Sequence, residues 1–271
     1  MVRSRKPLAL SNWKMALTIS ESLTFVRELH ELAGDLLERV DVVVCPPFTG
    51  LWALARILQD SPIQLGAQNV SASQGAAHTG EISVALLADV GCQWVMLGHW
   101  EVRRHLGDDD ESINRKVHFC LRAGLQPILL VGESRLEADW ERALRNQLGR
   151  VLAGCEAQQV PRMAFVYEPE GAIGADQPAG AEKVAAGCGL IRDWLRDRWG
   201  ENVSEQVRIL YGGSVSPQNA AKLLAHPDLD GLGASRKGRH AQDFAGIVQQ
   251  IEVRRYVGGV KRDPWDVKRD A

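Results

Sequence analysis

The chain of 271 residues is 45% apolar and 24% charged, with a formal net charge of −2. That length fits one α/β barrel or two small domains and is ample for a substantial core. The near-neutral balance supplies no basic field, which makes nucleic acid a poor partner. Five cysteines (Cys45, Cys92, Cys120, Cys155, Cys188) lie far apart, odd in number and without a C-x-x-C pair. They argue for a reducing, cytoplasmic setting and against a disulfide framework or a structural zinc site. The apolar run at residues 7–10 is too short for a signal peptide, and no window approaches a transmembrane helix, so no membrane is expected.

Taken in chain order, eight short strand-like runs recur with helical stretches between most of them. They cover residues 8–10, 42–45, 63–66, 94–97, 127–131, 163–167 and 207–211, with a weak eighth near Leu232. Most are continuous apolar runs, as parallel strands buried on both faces require. After the first, Leu23, Val26, Leu29, Ala33, Leu36 and Leu37 predict one helical face, opened by a capping box of Thr18 and Glu21. Later, Ile113, Val117, Cys120 and Leu121 predict a second stripe, closed by Gly124 at C′. Ser216 and Pro217 read as an N-cap followed by proline at the first helical position. Eightfold strand–helix alternation predicts an α/β fold, a parallel (β/α)8 barrel in one domain over residues 1–256, with residues 257–271 as a solvated tail. The open doubly wound sheet is the alternative, but no G-x-G-x-x-G follows the first strand. The eighth strand is the weak point, because residues 228–233 hold little that a buried strand favours.

Residues 164–174 are the stretch the rest is organised around. An apolar strand ends in Glu168, and Pro169 stops strand pairing there. Gly171 and Gly174 bracket a segment that could swing as a lid or offer N–H groups to an anion. Barrels of this kind take their catalytic groups from the C-terminal ends of the strands. Those ends carry Asn12 and Lys14, then Gln68 and Asn69, His99 and Glu101, Glu133, and Glu168. The last two strands end in Gly212-Gly213-Ser214 and Gly233-Ala234-Ser235. Singly, Lys14 reads as a surface ammonium, His99 as a satisfied core imidazole and Glu101 as half of an ion pair. Together they set a cation, an imidazole and a carboxylate around one rim, opposite two glycine turns.

That set has a chemical meaning. Glycine turns after strands seven and eight offer backbone N–H donors to a phosphate. A carboxylate can remove a proton from carbon beside a carbonyl, while a cation and an imidazole stabilise the oxyanion. None of the seven histidines has H-x-x-x-H spacing with carboxylates, so neither a metal nor another cofactor is expected. Ser214 has no neighbouring base in sequence, which disfavours a nucleophilic role.

Five segments carry a resemblance. Ser11-Asn12-Trp13-Lys14-Met15, Gly80-Glu81-Ile82-Ser83, Leu97-Gly98-His99, Tyr167-Glu168-Pro169 with Ala172-Ile173-Gly174, and Tyr211-Gly212-Gly213-Ser214-Val215 resemble the triosephosphate isomerase family. They run in the family's order from about residue 8 to about residue 250. The resemblance implies a TIM barrel and an aldose–ketose isomerase working on a small phosphorylated sugar. It also implies the family's glutamate base, neutral histidine electrophile and closing loop. Glu168 would be the base and His99 the electrophile. Lys14 would supply positive charge, Asn12 would orient the oxygen, and Glu101 would pair with Lys14. Residues 169–178 would form the lid, with Tyr211 and Ser214 as its latch. The N–H groups of Gly174, Ser214 and the Leu232-Gly233 turn would hold the phosphate. Thr79 matches the family residue that reaches into the neighbouring subunit's site, so the loop from Val70 to Thr79 implies a homodimer.

Several departures from the family pattern surround the substrate. Trp100 replaces a small serine, and Val102 an arginine. The lid's hinge reads Pro169-Glu170-Gly171 without its tryptophan, and its far side lacks the second glycine and the lysine. The eighth strand is about three residues short. Three functions follow: triosephosphate isomerisation, the same chemistry on a four-carbon (erythrulose-type) ketose phosphate, or a non-catalytic phosphosugar-binding barrel. Retention of Lys14, His99 and Glu168 argues against the last. For Trp100, two orientations are open: inward against residues 168–171, with Gly171 leaving it room, or outward between barrel and helix.

Overall fold

The computed structural model describes residues 5–175 and 178–257. The expected tail from residue 258 on lies outside the described residues, as do Asp176 and Gln177 of the expected lid. The strands are β1 (Leu8–Asn12), β2 (Asp41–Cys45), β3 (Ile63–Ala67), β4 (Trp94–Leu97), β5 (Gln126–Val131), β6 (Ala164–Tyr167), β7 (Arg208–Gly212) and β8 (Gly231–Ala234). Each pairs in parallel with the next, and β8 returns to β1, closing a TIM barrel. Helices follow the strands on the outside, the longest at Ile19–Ala33, Ala181–Trp199 and Ala241–Val257.

Burial on both faces accounts for the continuous apolar runs. Leu8, Leu10, Val43, Met96, Leu130 and Val166 point into the barrel, while Ala9, Val42, Val44, Val95, Leu129 and Phe165 pack outward under the helices. The capping box of Thr18 and Glu21 forms as predicted. Its helix ends earlier than the stripe implied, because Gly34 takes a positive φ of 44° and Leu36–Arg39 starts a separate short helix. Phe25, absent from the predicted face, is buried on it. Gly124 has φ 82° just beyond Asp110–Arg122, where a C′ glycine belongs.

The eighth strand has a physical reason for its composition. A Cβ at Gly231 would stand 1.8 Å from the carbonyl oxygen of Leu8, so only glycine lets β8 approach β1. Just before it, Asp230 accepts from Ile209 N at 2.9 Å, from Arg192 at 2.8 Å and from Arg5 at 2.7 Å. Arg192 is fully buried. Closure of the barrel therefore combines a close backbone approach and a buried ion pair with the burial of Leu229 and Leu232.

Candidate active site

The C-terminal strand ends gather the expected groups at one mouth. At the end of β1, Asn12 is buried and its Oδ1 accepts the Lys14 N–H at 2.9 Å. Lys14 is one of two non-glycine residues among those described with positive φ, at 52°, a strained conformation that the surrounding bonds must hold. Gln68, at the end of β3, does part of that holding by donating to the carbonyls of Lys14 at 2.8 Å and Cys45 at 2.9 Å. The Lys14 ammonium then reaches Glu101 at 2.5 Å.

After β4, His99 caps the helix Trp100–Leu106, and its Nδ1 accepts the Glu101 N–H at 3.0 Å. An accepting Nδ1 leaves the ring proton on Nε2. Burial, with the Lys14 charge second, pushes the imidazole down to about 4 from its ordinary 6.5, so it stays neutral. Its Nε2 lies 3.6 Å from Oε1 of Glu168.

Glu168 follows β6 directly and is 8% exposed. Its N–H donates to Val131 O at 2.8 Å, extending the pairing of β5 with β6 by one residue. Burial raises its carboxyl to about 8 from 4.5; the Lys14 charge opposes that rise and Glu101 adds to it. Glu101 itself is held below its ordinary value: burial would raise it, but the hydrogen bond and charge of Lys14 outweigh that. Neither His99 Nε2 nor Glu168 Oε2 has a hydrogen-bond partner among the described residues, although both are buried. Two such orphans facing one another suit a guest with its own polar atoms.

The opposite wall is made of glycine. Asn12, Glu168, Gly212, Gly213, Gly233 and Ser235 line one cleft. Gly233 lies within β8 rather than in a turn, and Leu232 beside it is buried in the outer core. The expected lid, and Ala179 just beyond it, pack against this wall. The Ala179 N–H donates to Tyr211 Oη at 2.9 Å, Ser214 Oγ donates to the Ala175 carbonyl, and Arg236 donates to the same carbonyl at 2.6 Å. Gly174 in the lid has φ 69°, in the left-handed region.

Other strand-end candidates are not brought together here. Glu133 accepts from Tyr167 Oη at 3.0 Å and pairs with Lys183 at 2.9 Å, behind the site. Asn69 accepts from the buried Lys116 at 3.0 Å. Trp100 takes the inward orientation, its indole N–H donating to the Glu168 carbonyl at 3.2 Å. The room at Gly171 faces Arg135 instead, whose Cγ would be 4.0 Å from a Cβ there. Arg104 and Arg236 touch the expected lid, at Glu170 and Ala175, without having been expected to, and the buried role of Glu170 within it was not expected either. The only signal for Glu170 was a second carboxylate, two residues after Glu168, in the hinge segment that lacks the family's tryptophan.

The sequence model of the family described as triosephosphate isomerase matches residues 7–251. A curated triosephosphate isomerase of Carboxydothermus hydrogenoformans is 40% identical over 248 residues, covering 90% of this chain and 98% of the relative. Those of Herpetosiphon aurantiacus and Nitratidesulfovibrio vulgaris are 41% and 42% identical, each over 90% of this chain and 99% of theirs. The barrel, the strand-end groups and these matches agree: the chain belongs to the triosephosphate isomerase family.

Proposed function

We propose that this chain interconverts dihydroxyacetone phosphate and glyceraldehyde 3-phosphate through an enediolate. The observation that carries the reading is the pairing of a buried carboxylate with a buried neutral imidazole, 3.6 Å apart, beside a lysine already tied to Glu101. Glu168 takes the proton from the carbon next to the carbonyl. The C–H electron pair becomes the C=C bond of the enediolate, and the carbonyl electrons move onto oxygen. His99 meets that oxygen with its Nε2–H, and Lys14 and Asn12 add charge and a dipole. The hydroxyl proton on the neighbouring carbon passes to the former carbonyl oxygen by way of His99, the C=C electrons take the carbon-bound proton back from Glu168 at that former carbonyl carbon, and the other carbon becomes the new carbonyl. A carboxyl raised toward the working pH is a stronger base than an exposed one. The N–H groups of Gly174, Ser214 and Gly233 are the proposed phosphate donors. Tyr211 and Ser214, already bonded to the lid, serve as its latch, and Glu101 sets the place of Lys14.

The same reading pairs two copies through the loop between Val70 and Thr79, and places the enzyme in the cytoplasm. Cys45, Cys92, Cys120 and Cys155 are thiols, and among the described residues no helix is long and apolar enough to cross a membrane.

The deciding assay compares kcat/KM of the purified protein on dihydroxyacetone phosphate with that on a tetrulose phosphate. A clear preference for the triose phosphate is expected. Glu168→Asp should lower kcat by ~10²-fold with little change in KM, since about 1 Å of misplacement costs that much. A preference for the tetrulose phosphate would assign the same chemistry to a four-carbon substrate. Turnover of neither would overturn the reading.

A further inference from the structure

Both backbone polar groups of Glu168 are held, and by different parts of the barrel. Its N–H goes to Val131 in β5, and its C=O receives the Trp100 indole N–H at 3.2 Å. That carbonyl sits in a tight slot: a Cβ at Gly132 would come within 2.3 Å of the oxygen. Two residues on, the Glu170 carboxylate is only 7% exposed. It accepts from Ser134 Oγ at 2.9 Å and from the Arg135 N–H at 2.7 Å, and it forms an ion pair with Arg104. The Glu170 N–H also donates to the Glu133 carbonyl at 3.0 Å. A carboxylate so buried is destabilising unless charge and donors surround it, and here they do. Arg104 stands on the helix after β4, and Ser134 and Arg135 follow β5. Segment 168–170 is thus fastened to two neighbouring strand ends by polar contacts.

We propose that Trp100 and Glu170, with Arg104 as counter-charge, form a clamp at the root of the lid that fixes where the Glu168 carboxylate sits. They are positioning residues and touch no substrate; the inference rests on Glu168 being the base. Trp100 fixes the peptide plane from which the Glu168 side chain departs. Glu170 pins the first turn of the lid, so that motion of the lid beyond it leaves the base in place. Where the family pattern has a hinge tryptophan, this chain has Gly171, and the hinge is fastened instead by the carboxylate of the preceding Glu170. The serine position beside the base carries an indole whose polar edge serves the backbone.

Four variants test the clamp: Trp100→Phe, Glu170→Gln, Arg104→Ala and Arg104→Lys. Phenylalanine keeps an aromatic ring at position 100 while removing the N–H donor and part of the indole's bulk. Trp100→Phe and Glu170→Gln should lower kcat by ~10-fold, with KM held within about 3-fold, as displacement of a base implies. Arg104 is half exposed and can be replaced without harm to the core. Arg104→Ala should show a smaller loss of kcat that Arg104→Lys restores in part. Hydrogen–deuterium exchange over residues 168–175 should rise in Trp100→Phe and Glu170→Gln, while β5 keeps its protection. Folded variants with wild-type kcat and wild-type exchange would overturn the clamp. If the wild-type protein turns over neither sugar phosphate, the functional reading fails and the exchange result alone decides the clamp.

Discussion

At the scale of single residues, the site works by pushing two ionisation equilibria in opposite directions. Burial raises Glu168 to about 8, and burial together with the Lys14 charge lowers His99 to about 4. Between about 4.5 and about 8, folded Glu168 keeps a proton that the unfolded chain has lost, so stability falls as pH rises through that window. Between about 4 and 6.5, unfolded His99 holds a proton that the folded state excludes, so stability climbs with pH. The two slopes oppose each other in the overlap, and above pH 6.5 only the Glu168 slope remains. Thermal melts should therefore show wild-type Tm declining from pH 6.5 to 8. Glu168→Gln, which cannot ionise, should lose that decline and melt higher than wild type at pH 8. Parallel pH profiles for the two proteins would remove burial of an ionisable Glu168 from the account.

At the scale of elements, β8 is the instructive strand. Its residues read as poor strand material because their reasons lie elsewhere in the chain: Gly231 answers to the backbone of Leu8, and Asp230 to buried Arg192 and to Arg5. Replacing Asp230 by Ala would leave Arg192 without its buried carboxylate, a loss of ~3–5 kcal/mol. Urea titration of Asp230→Ala should show that loss as a lower midpoint, and a change of under about 1 kcal/mol would mean that β8 is held by its other contacts. The same logic separates what the sequence made legible from what it hid. Glu168 stood out because it ends an apolar run, while His99 and Lys14 became legible only as part of the strand-end set and of the segments that resemble the family. Gln68 appeared at a strand end too, but its hold on the Lys14 carbonyl needs a neighbouring strand to be seen. Glu170 was read only as part of a hinge, since its partners Ser134 and Arg135 lie 36 and 35 residues away and Arg104 lies on another helix. Gly171 was credited with making room for Trp100, yet the room belongs to Arg135. Which side chain fills a gap is a tertiary fact.

For the molecule as a whole, the barrel gathers chemistry at one mouth and leaves apolar surface beside it. Met15, next to Lys14, is 99% exposed, and Leu86 on the short helix Val84–Asp89 is 56% exposed. Residues 73–81 are exposed throughout, while Val70 and Ser71 at the loop's root are buried and the Ser71 N–H donates to Ile82 O at 2.8 Å. A loop pinned at its root and bare along its length is organised for something it does not touch within its own chain. On the dimer reading proposed above, a second copy would meet that need, with each loop laid over the exposed Met15 corner of the other. Covering one methionine of this size contributes about 1.5–3 kcal/mol, and the two-fold doubles it. Sedimentation at micromolar concentration should therefore give twice the 29.8 kDa mass of the chain. Thr79→Arg should shift the protein to monomer and lower kcat, since the strained Lys14 loop would lose its cover. A wild-type monomer at that concentration, or a Thr79→Arg monomer with undiminished kcat, would mean that each barrel completes its own site.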